Sequence, residues 1–302
     1  MQLSNVQTNR TYVIGVICLL VGAVLTSLSQ VYYANRVQAV HPFLFTCVSF
    51  FVATVIFQLL AARHKQDYRW STTRSTILKL NIATVCCFMG FYFALKYIEP
   101  AIVSSLEMGL GPLFVLLLAL KSKERVLKMQ WVIAFSTLAA CLMLVANIFM
   151  GNSGVQQWDR YTVIGIGASV LCGLGAVYCT VYSKELSAAG WTSAMILAKR
   201  FYGIVVLSFL MSYDLLPTYL SGNIVWILVM TTFGVLLPMY FLQQGIKYCN
   251  VFIVMMSLCF IPVFTFFFQL FDERLIWSNT TFAGVMLLLI LGIMSVVVER
   301  RA

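Results

Sequence analysis

The chain has 302 residues, of which 61% are hydrophobic and 10% charged, and its mean hydropathy is +0.93. A soluble domain is about a quarter charged, so this much apolar surface needs lipid to cover it. About ten spans of roughly 20 residues each use up nearly the whole length and leave no room for a soluble catalytic domain. The net charge of +10 does not point to nucleic acid, because most Lys and Arg stand in short loops between apolar runs, where they orient a protein in a bilayer.

In chain order, the apolar runs predict spans over 12–33, 42–61, 76–95, 101–120 and 131–150, then 161–183, 191–211, 222–244, 251–270 and 276–298. Helix is the expected state, since every backbone N–H and C=O in hydrocarbon needs a partner within its own segment. None of the runs alternates in the ten-residue manner of a barrel strand. The first run follows Arg10 but is too long for a signal-peptide core and lacks a small-x-small cleavage site, so it is expected to be retained.

Loop charge gives the expected orientation. With the N-terminus in the cytoplasm, fourteen Lys and Arg fall on the cytoplasmic side, among them Arg63, Lys65, Arg69, Arg74, Lys121, Lys123, Arg125, Lys128, Lys184, Lys247 and Arg301. Four fall on the other side: Arg36, Lys96, Arg160 and Arg274. Lys199 and Arg200 lie inside the seventh span. This bias places both termini inside.

The chain also repeats itself at a shift of 150 residues. Gly15 falls on Gly165, Val31-Tyr32 on Val181-Tyr182, and Pro112-x-Phe114 on Pro262-x-Phe264. One-residue slips add Lys96-Tyr97 with Lys247-Tyr248, and Glu124-Arg125 with Glu273-Arg274. Five spans per copy is an odd number, so the second copy enters the membrane from the opposite face, the ground plan of many secondary transporters. The expectation is an all-α integral membrane protein of ten transmembrane helices, arranged as inverted five-helix repeats over 11–150 and 161–298 around a central cavity.

The residues then resemble a family. Ala94-Leu95-Lys96-Tyr97, Pro112-Leu113-Phe114, Lys123-Glu124-Arg125 and Gln130-Trp131 resemble the first EamA-type unit of the drug/metabolite transporter superfamily. Ile261-Pro262-Val263-Phe264 with Asp272-Glu273-Arg274 resembles the second unit, and Ala198-Lys199-Arg200-Phe201 resembles the Arg-Phe pair often found in a unit's second helix. The matching place in span two, Val48-Ser49-Phe50-Phe51, carries no basic residue. The resemblance implies a ten-helix basket with cytoplasmic termini that exports or exchanges amino acids or related metabolites.

Several residues are candidates for the chemistry. Glu107 sits deep in span four, where a charge costs about 2.5–3.5 kcal/mol on insertion scales and is paired or faces a wet cavity; it either lines the cavity and carries protons or makes a structural hydrogen bond or ion pair. Lys199 and Arg200 are neighbours about 100° apart around a helix, so only one can face a cavity centre. The family pattern favours Arg200, whose planar fork can hold a carboxylate; a salt bridge to Glu107 and snorkelling are the alternatives. Polar residues share helix faces in span one (Ala23, Ser27, Gln30), in span six (Gly175, Tyr178, Tyr182), and as Tyr92 with Lys96 and Tyr240 with Gln244; they line a cavity or pack between helices. Pro112 and Pro262 stand as symmetric bends, as gates or as plain kinks.

Other signals point away from alternative chemistry. The nine cysteines form no CxxC pair and read as small apolar packing residues, with no disulfide framework and no metal site expected. His41 and His64 lie in or beside loops, and Trp70, Trp131, Trp158 and Trp277 fit an interfacial aromatic belt. No phosphate-binding loop suggests ATP drive, and no cofactor is implied. The function expected is secondary transport, in the export direction, of a small amino-acid-like or organic-anion metabolite across a bacterial inner membrane by alternating access. Its drive is the substrate gradient, exchange for protons, or both, and the chain acts as a monomer or a homodimer. The alternatives are a cationic drug/proton antiporter using Glu107, and a lipid flippase or membrane accessory subunit.

Overall fold

In a computed structural model, the described residues are 2–36, 40–63, 70–121, 126–151, 159–271 and 277–300. Among them every element is helical. Of the loop residues named above, His64, Lys65, Arg69, Lys123, Glu124, Arg125, Trp158, Asp272, Glu273, Arg274 and Arg301 lie outside the described residues.

The helices are α1 (Gln2–Arg36), α2 (Pro42–Ala62), α3 (Trp70–Ala94), α4 (Pro100–Gly109), α5 (Gly111–Lys121), α6 (Lys128–Phe149) and α7 (Arg160–Ala188). They continue as α8 (Ser193–Arg200), α9 (Tyr202–Leu210), α10 (Leu216–Met230), α11 (Leu237–Tyr248), α12 (Val251–Leu258), α13 (Phe260–Phe268) and α14 (Asn279–Arg300). Each expected span falls on one helix or on two joined end to end. Nine stretches among the described residues are long and apolar enough to cross a bilayer. The tenth expected span falls on α14, which is apolar over Asn279–Met294 and continues in sequence through Ser295-Val296-Val297-Val298.

The joined pairs break where the chain interrupts its own hydrogen-bond ladder. α4 gives way to α5 at Leu110, just before Pro112, and α12 to α13 at Cys259, just before Pro262. Proline has no N–H, so the carbonyl four residues earlier loses its helical partner. For Pro112 that carbonyl belongs to Met108, and the Cys259 thiol donates to it at 3.6 Å. A π-helical turn, Thr231–Leu236, precedes Pro238 in the same way.

The third break, at Phe201 between α8 and α9, has no proline. There the Asn81 amide, on α3, bridges the two ends: its Nδ2 donates to Lys199 O and its Oδ1 accepts from Gly203 N, both at 2.9 Å. At a related place Thr231 Oγ1 donates to Ser49 Oγ at 2.8 Å.

Packing is inside-out relative to a soluble protein. Leu59, Leu78, Leu142, Val225 and Phe271 are exposed, whereas Gln30, Asn81, Glu99, Glu107, Arg200 and Gln243 are buried. Exposed apolar surface on this scale is what lipid covers. α3 packs along α7 and α1 along α11, α6 against α14, and α2 against α8 and α9. Glycines allow the closest approaches: a Cβ on Gly15 would stand 2.8 Å from Tyr248 Cβ, and one on Gly165 would stand 3.4 Å from Tyr97 Cβ.

Helix ends also meet in pairs. On one side Thr76 donates to Glu185, and Lys184 Nζ donates to the carbonyls of Ile246, Lys247 and Cys249 at 3.0, 3.0 and 2.7 Å. A cation on the last carbonyls of a helix satisfies groups that have no partner within it and complements the helix dipole. Bonds to a charged donor are worth about 1.5–3 kcal/mol each when buried, and partial exposure reduces this. Lys184→Met is therefore expected to destabilise the detergent-solubilised protein by about 1–2 kcal/mol, read as a lower melting temperature; an unchanged melt would remove this clamp from the account. On the opposite side Tyr97 stacks on Tyr161, and Gln269 Nε2 donates to Glu99 at 2.6 Å.

Candidate functional site

The helix breaks and close contacts leave a central cavity walled by α1, α3, α4, α7, α8 and α11, with residues of both halves in its lining. The lining is mainly apolar, with few polar groups, rather than the polar pocket that the stripes on helix faces suggest.

Arg200 is the last residue of α8 and only 2% exposed. Its guanidinium lies against the rings of Phe88 and Phe201, 5.9 and 5.4 Å from their centres. Nε donates to Thr84 Oγ1 at 3.4 Å. Among the described residues no carboxylate lies within ion-pair distance of it, so the salt bridge to Glu107 is not formed. Cation–π contacts are worth about 0.5–2 kcal/mol, less than the several kcal/mol that burying a charge costs. An anion entering the cavity would therefore find a cation whose charge is uncompensated.

Its neighbour takes the other direction, as the 100° offset requires. Lys199 lies outside the cavity, its Nζ 5.5 Å from the centre of the Tyr202 ring and 3.3 Å from the Tyr202 hydroxyl. The break at Phe201 fixes this split, and Asn81 holds the break.

Glu107, on α4, is 6% exposed and lines the cavity. The Cys87 thiol donates to its Oε1 at 3.8 Å. Tyr92 and Gln30 also line the cavity. Gln30 Nε2 donates to Thr265 Oγ1, while its Oε1 makes no hydrogen bond among the described residues.

Three other candidates lie elsewhere. Ser27 is buried and clamps α1 to α13, donating to Ala23 O at 2.7 Å and Ile261 O at 3.0 Å. Tyr178 stacks on Tyr182 at 5.8 Å in a separate groove between α3 and α7 that Lys79 also lines. Gln244 donates to the Tyr240 hydroxyl at 3.0 Å, away from the cavity lining. Pro112 and Pro262 stand just past their breaks, as kinks of related position.

The sequence reading passed over Tyr33, Phe45 and Trp226. With Tyr92 they form an aromatic cluster: Tyr33 stands 4.7 Å from Phe45 and 4.9 Å from Tyr92, and Trp226 5.6 Å from Phe45. Tyr33 is 1% exposed and lines the cavity, and its hydroxyl and Trp226 Nε1 make no hydrogen bond among the described residues. Thr84 and Asn81 were also missed. A polar residue recurring on α3 at 81 and 84, one turn apart, was the available signal.

The fold also brings together residues far apart in sequence: Cys87, Glu107 and Cys172 place one ligand atom each within 4.8 Å of one another.

Comparison with known proteins places this geometry. Residues 13–146 match the model of the EamA-like transporter family. Residues 13–146, less than half of the chain, are thus similar to an EamA-type transporter unit, and the apolar helices support a multi-pass membrane protein. No curated protein sequence matches the chain. One crystal structure is similar over 97% of this chain and 98% of its own, with a TM-score of 0.66 and 19% identity, which shows a shared fold and nothing of function.

Proposed function

We propose that this protein is a secondary transporter that exports a small carboxylate-bearing metabolite, amino-acid-like or a simple organic anion, across a bacterial inner membrane by alternating access. The observation that carries this reading is Arg200: a nearly fully buried guanidinium on the cavity wall with no carboxylate in ion-pair reach among the described residues. Charge burial of that kind marks a substrate or ion pathway, and a planar donor fork suits a carboxylate. Glu107, on the same cavity, is the group that would exchange a proton.

The inverted repeat, 11–150 and 161–298, belongs to this proposal. Two contacts support it. Gly15 packs on Tyr248 as Gly165 packs on Tyr97, and Ser49 with Thr231 repeats Lys199 with Asn81 at a shift of 150 residues, the partners exchanging halves. Such exchange is what a two-fold axis in the membrane plane produces. The loop charges put both termini in the cytoplasm.

A cationic drug would meet Arg200 in the same cavity, which ranks the antiporter reading below the anion. The test is counterflow in liposomes holding the purified protein and loaded with a mixture of unlabelled amino and organic acids. Uptake of a labelled carboxylate down no net gradient is expected. Counterflow of a lipophilic cation and of no carboxylate would overturn the proposal, and scrambling of labelled phospholipid alone would favour a flippase.

A further inference from the structure

We propose that Cys87, Cys172 and Glu107 form a binding site for a thiophilic d10 metal ion of the zinc and cadmium class, open on one side to the central cavity. The three donor atoms come from three helices, α3, α7 and α4, and all are buried. Tetrahedral coordination with metal–sulfur bonds of about 2.3 Å and metal–oxygen bonds of about 2.0–2.2 Å sets neighbouring donors roughly 3.5–3.8 Å apart. Here they lie within 4.8 Å of one another, and Cys87 to Glu107 is already 3.8 Å. Rotamer adjustment is enough to close the rest.

The backbone explains why the cluster forms. A Cβ on Gly175 would stand 2.7 Å from Cys87 N, and one on Gly173 would stand 2.8 Å from Glu107 O. α3 and α4 therefore lie backbone-close on the same short stretch of α7, directly after Cys172. Two helices are drawn onto one turn of a third, and each brings a ligand.

Donor type and access then select the ion. Two thiolates and one carboxylate suit a borderline-soft ion and disfavour magnesium or calcium, which take oxygen ligands. Three protein ligands leave the fourth tetrahedral position open, as in zinc sites that hold an exchangeable ligand. Cys87 and Glu107 line the cavity, so that position faces a space a small molecule can enter. Binding displaces the two thiol protons to solvent, and the ion takes their place. Cys179, which also lines the cavity, stands 3.5 Å from the Thr84 hydroxyl and is a further thiol on the same wall.

The site shares Glu107 with the transport reading, since a bound ion would take the carboxylate away from proton exchange, and it is tested without a flux assay so that either can fail alone. The full-length protein, reduced and in detergent, is titrated with Cd(II) while thiolate-to-metal charge-transfer absorbance and proton release are recorded. One equivalent is expected to saturate the band, with about two protons released, one from each thiol. Cys87→Ser and Cys172→Ser each weaken binding at least about 100-fold, more than the 10–100-fold typical of an outer-shell change. Glu107→Gln weakens it less and leaves the sulfur band. Cys141→Ser, whose thiol bonds to Ser105 O on another face of α4, leaves the titration unchanged. If a serine variant does not fold, the alanine variant of the same residue replaces it, with Cd(II)-induced melting shifts as the readout. No band, or a band equal in the Cys87 and Cys172 variants, overturns the site and assigns any binding to scattered thiols.

Discussion

Arg200→Gln is expected to lower carboxylate transport by about one to two orders of magnitude, and to leave the melting temperature of the purified protein nearly unchanged. The size follows from the bonds at stake. A charge-assisted hydrogen bond is worth about 1.5–3 kcal/mol, and each 1.4 kcal/mol is tenfold. Stability should hold because no buried carboxylate among the described residues loses its partner when the guanidinium goes; Thr84 loses one long hydrogen bond and Phe88 and Phe201 lose cation–π contacts, which the removal of a buried charge offsets. Arg200→Lys keeps the charge but not the two-pronged geometry, so it recovers part of the activity.

Glu107→Gln gives a different pattern. It removes the proton carrier, so transport should lose its dependence on a pH gradient while exchange of substrate for substrate persists. A double-mutant cycle on melting temperature separates this account from a structural pair: effects that add support two independent groups. Rescue of a destabilised Arg200→Gln by Glu107→Gln, with transport retained, would overturn the assignment of Arg200 to substrate.

Most of the fold could be read from the sequence because hydropathy in a membrane chain is a one-dimensional signal: a run of about 20 apolar residues has few alternatives to a helix. The breaks at Leu110 and Cys259 followed from Pro112 and Pro262 for the same local reason. The break at Phe201 did not, since its cause is Asn81, more than a hundred positions earlier in the chain.

Site residues divided along the same line. Periodicity says which residues share a helix face, not what that face meets. Ser27 and Gln30 stand on neighbouring turns of α1 and both bond to α13, yet Gln30 also lines the cavity and Ser27 does not. Tyr178 satisfied the same test as Gln30 and faces an outer groove. Arg200 was legible because the adjacent Lys199 forced a choice between them, and the family pattern supplied it. The meeting of the thiols was not legible from spacing along the chain: Cys87 and Cys172 are far apart in sequence and come together only where α3 lies on α7.

That meeting rests on a few missing methyl groups, which makes Gly175 the position of largest expected structural effect. A Cβ there would stand 2.7 Å from Cys87 N, 2.9 Å from Ala83 O and 3.0 Å from Cys87 Cα. All three are backbone atoms, so no side chain can rotate away, and α3 must move as a body. Over-packing of a tight contact costs about 1–3 kcal/mol, against about 0.5–1 kcal/mol that alanine gains over glycine within a helix. Gly175→Ala is therefore expected to lower the melting temperature by several degrees. It should also spread Cys87 from Cys172, weakening both Cd(II) binding and the cavity wall that carries Thr84 and Arg200. Gly167, on the same helix, is the internal control, because a Cβ there meets nothing within 4 Å. Gly167→Ala should be neutral or slightly stabilising through helix propensity alone. Thermal melts of the two variants side by side decide the matter: equal behaviour would mean that α3 and α7 do not approach each other at Gly175, and that the arrangement of Cys87, Glu107 and Cys172 has some other origin.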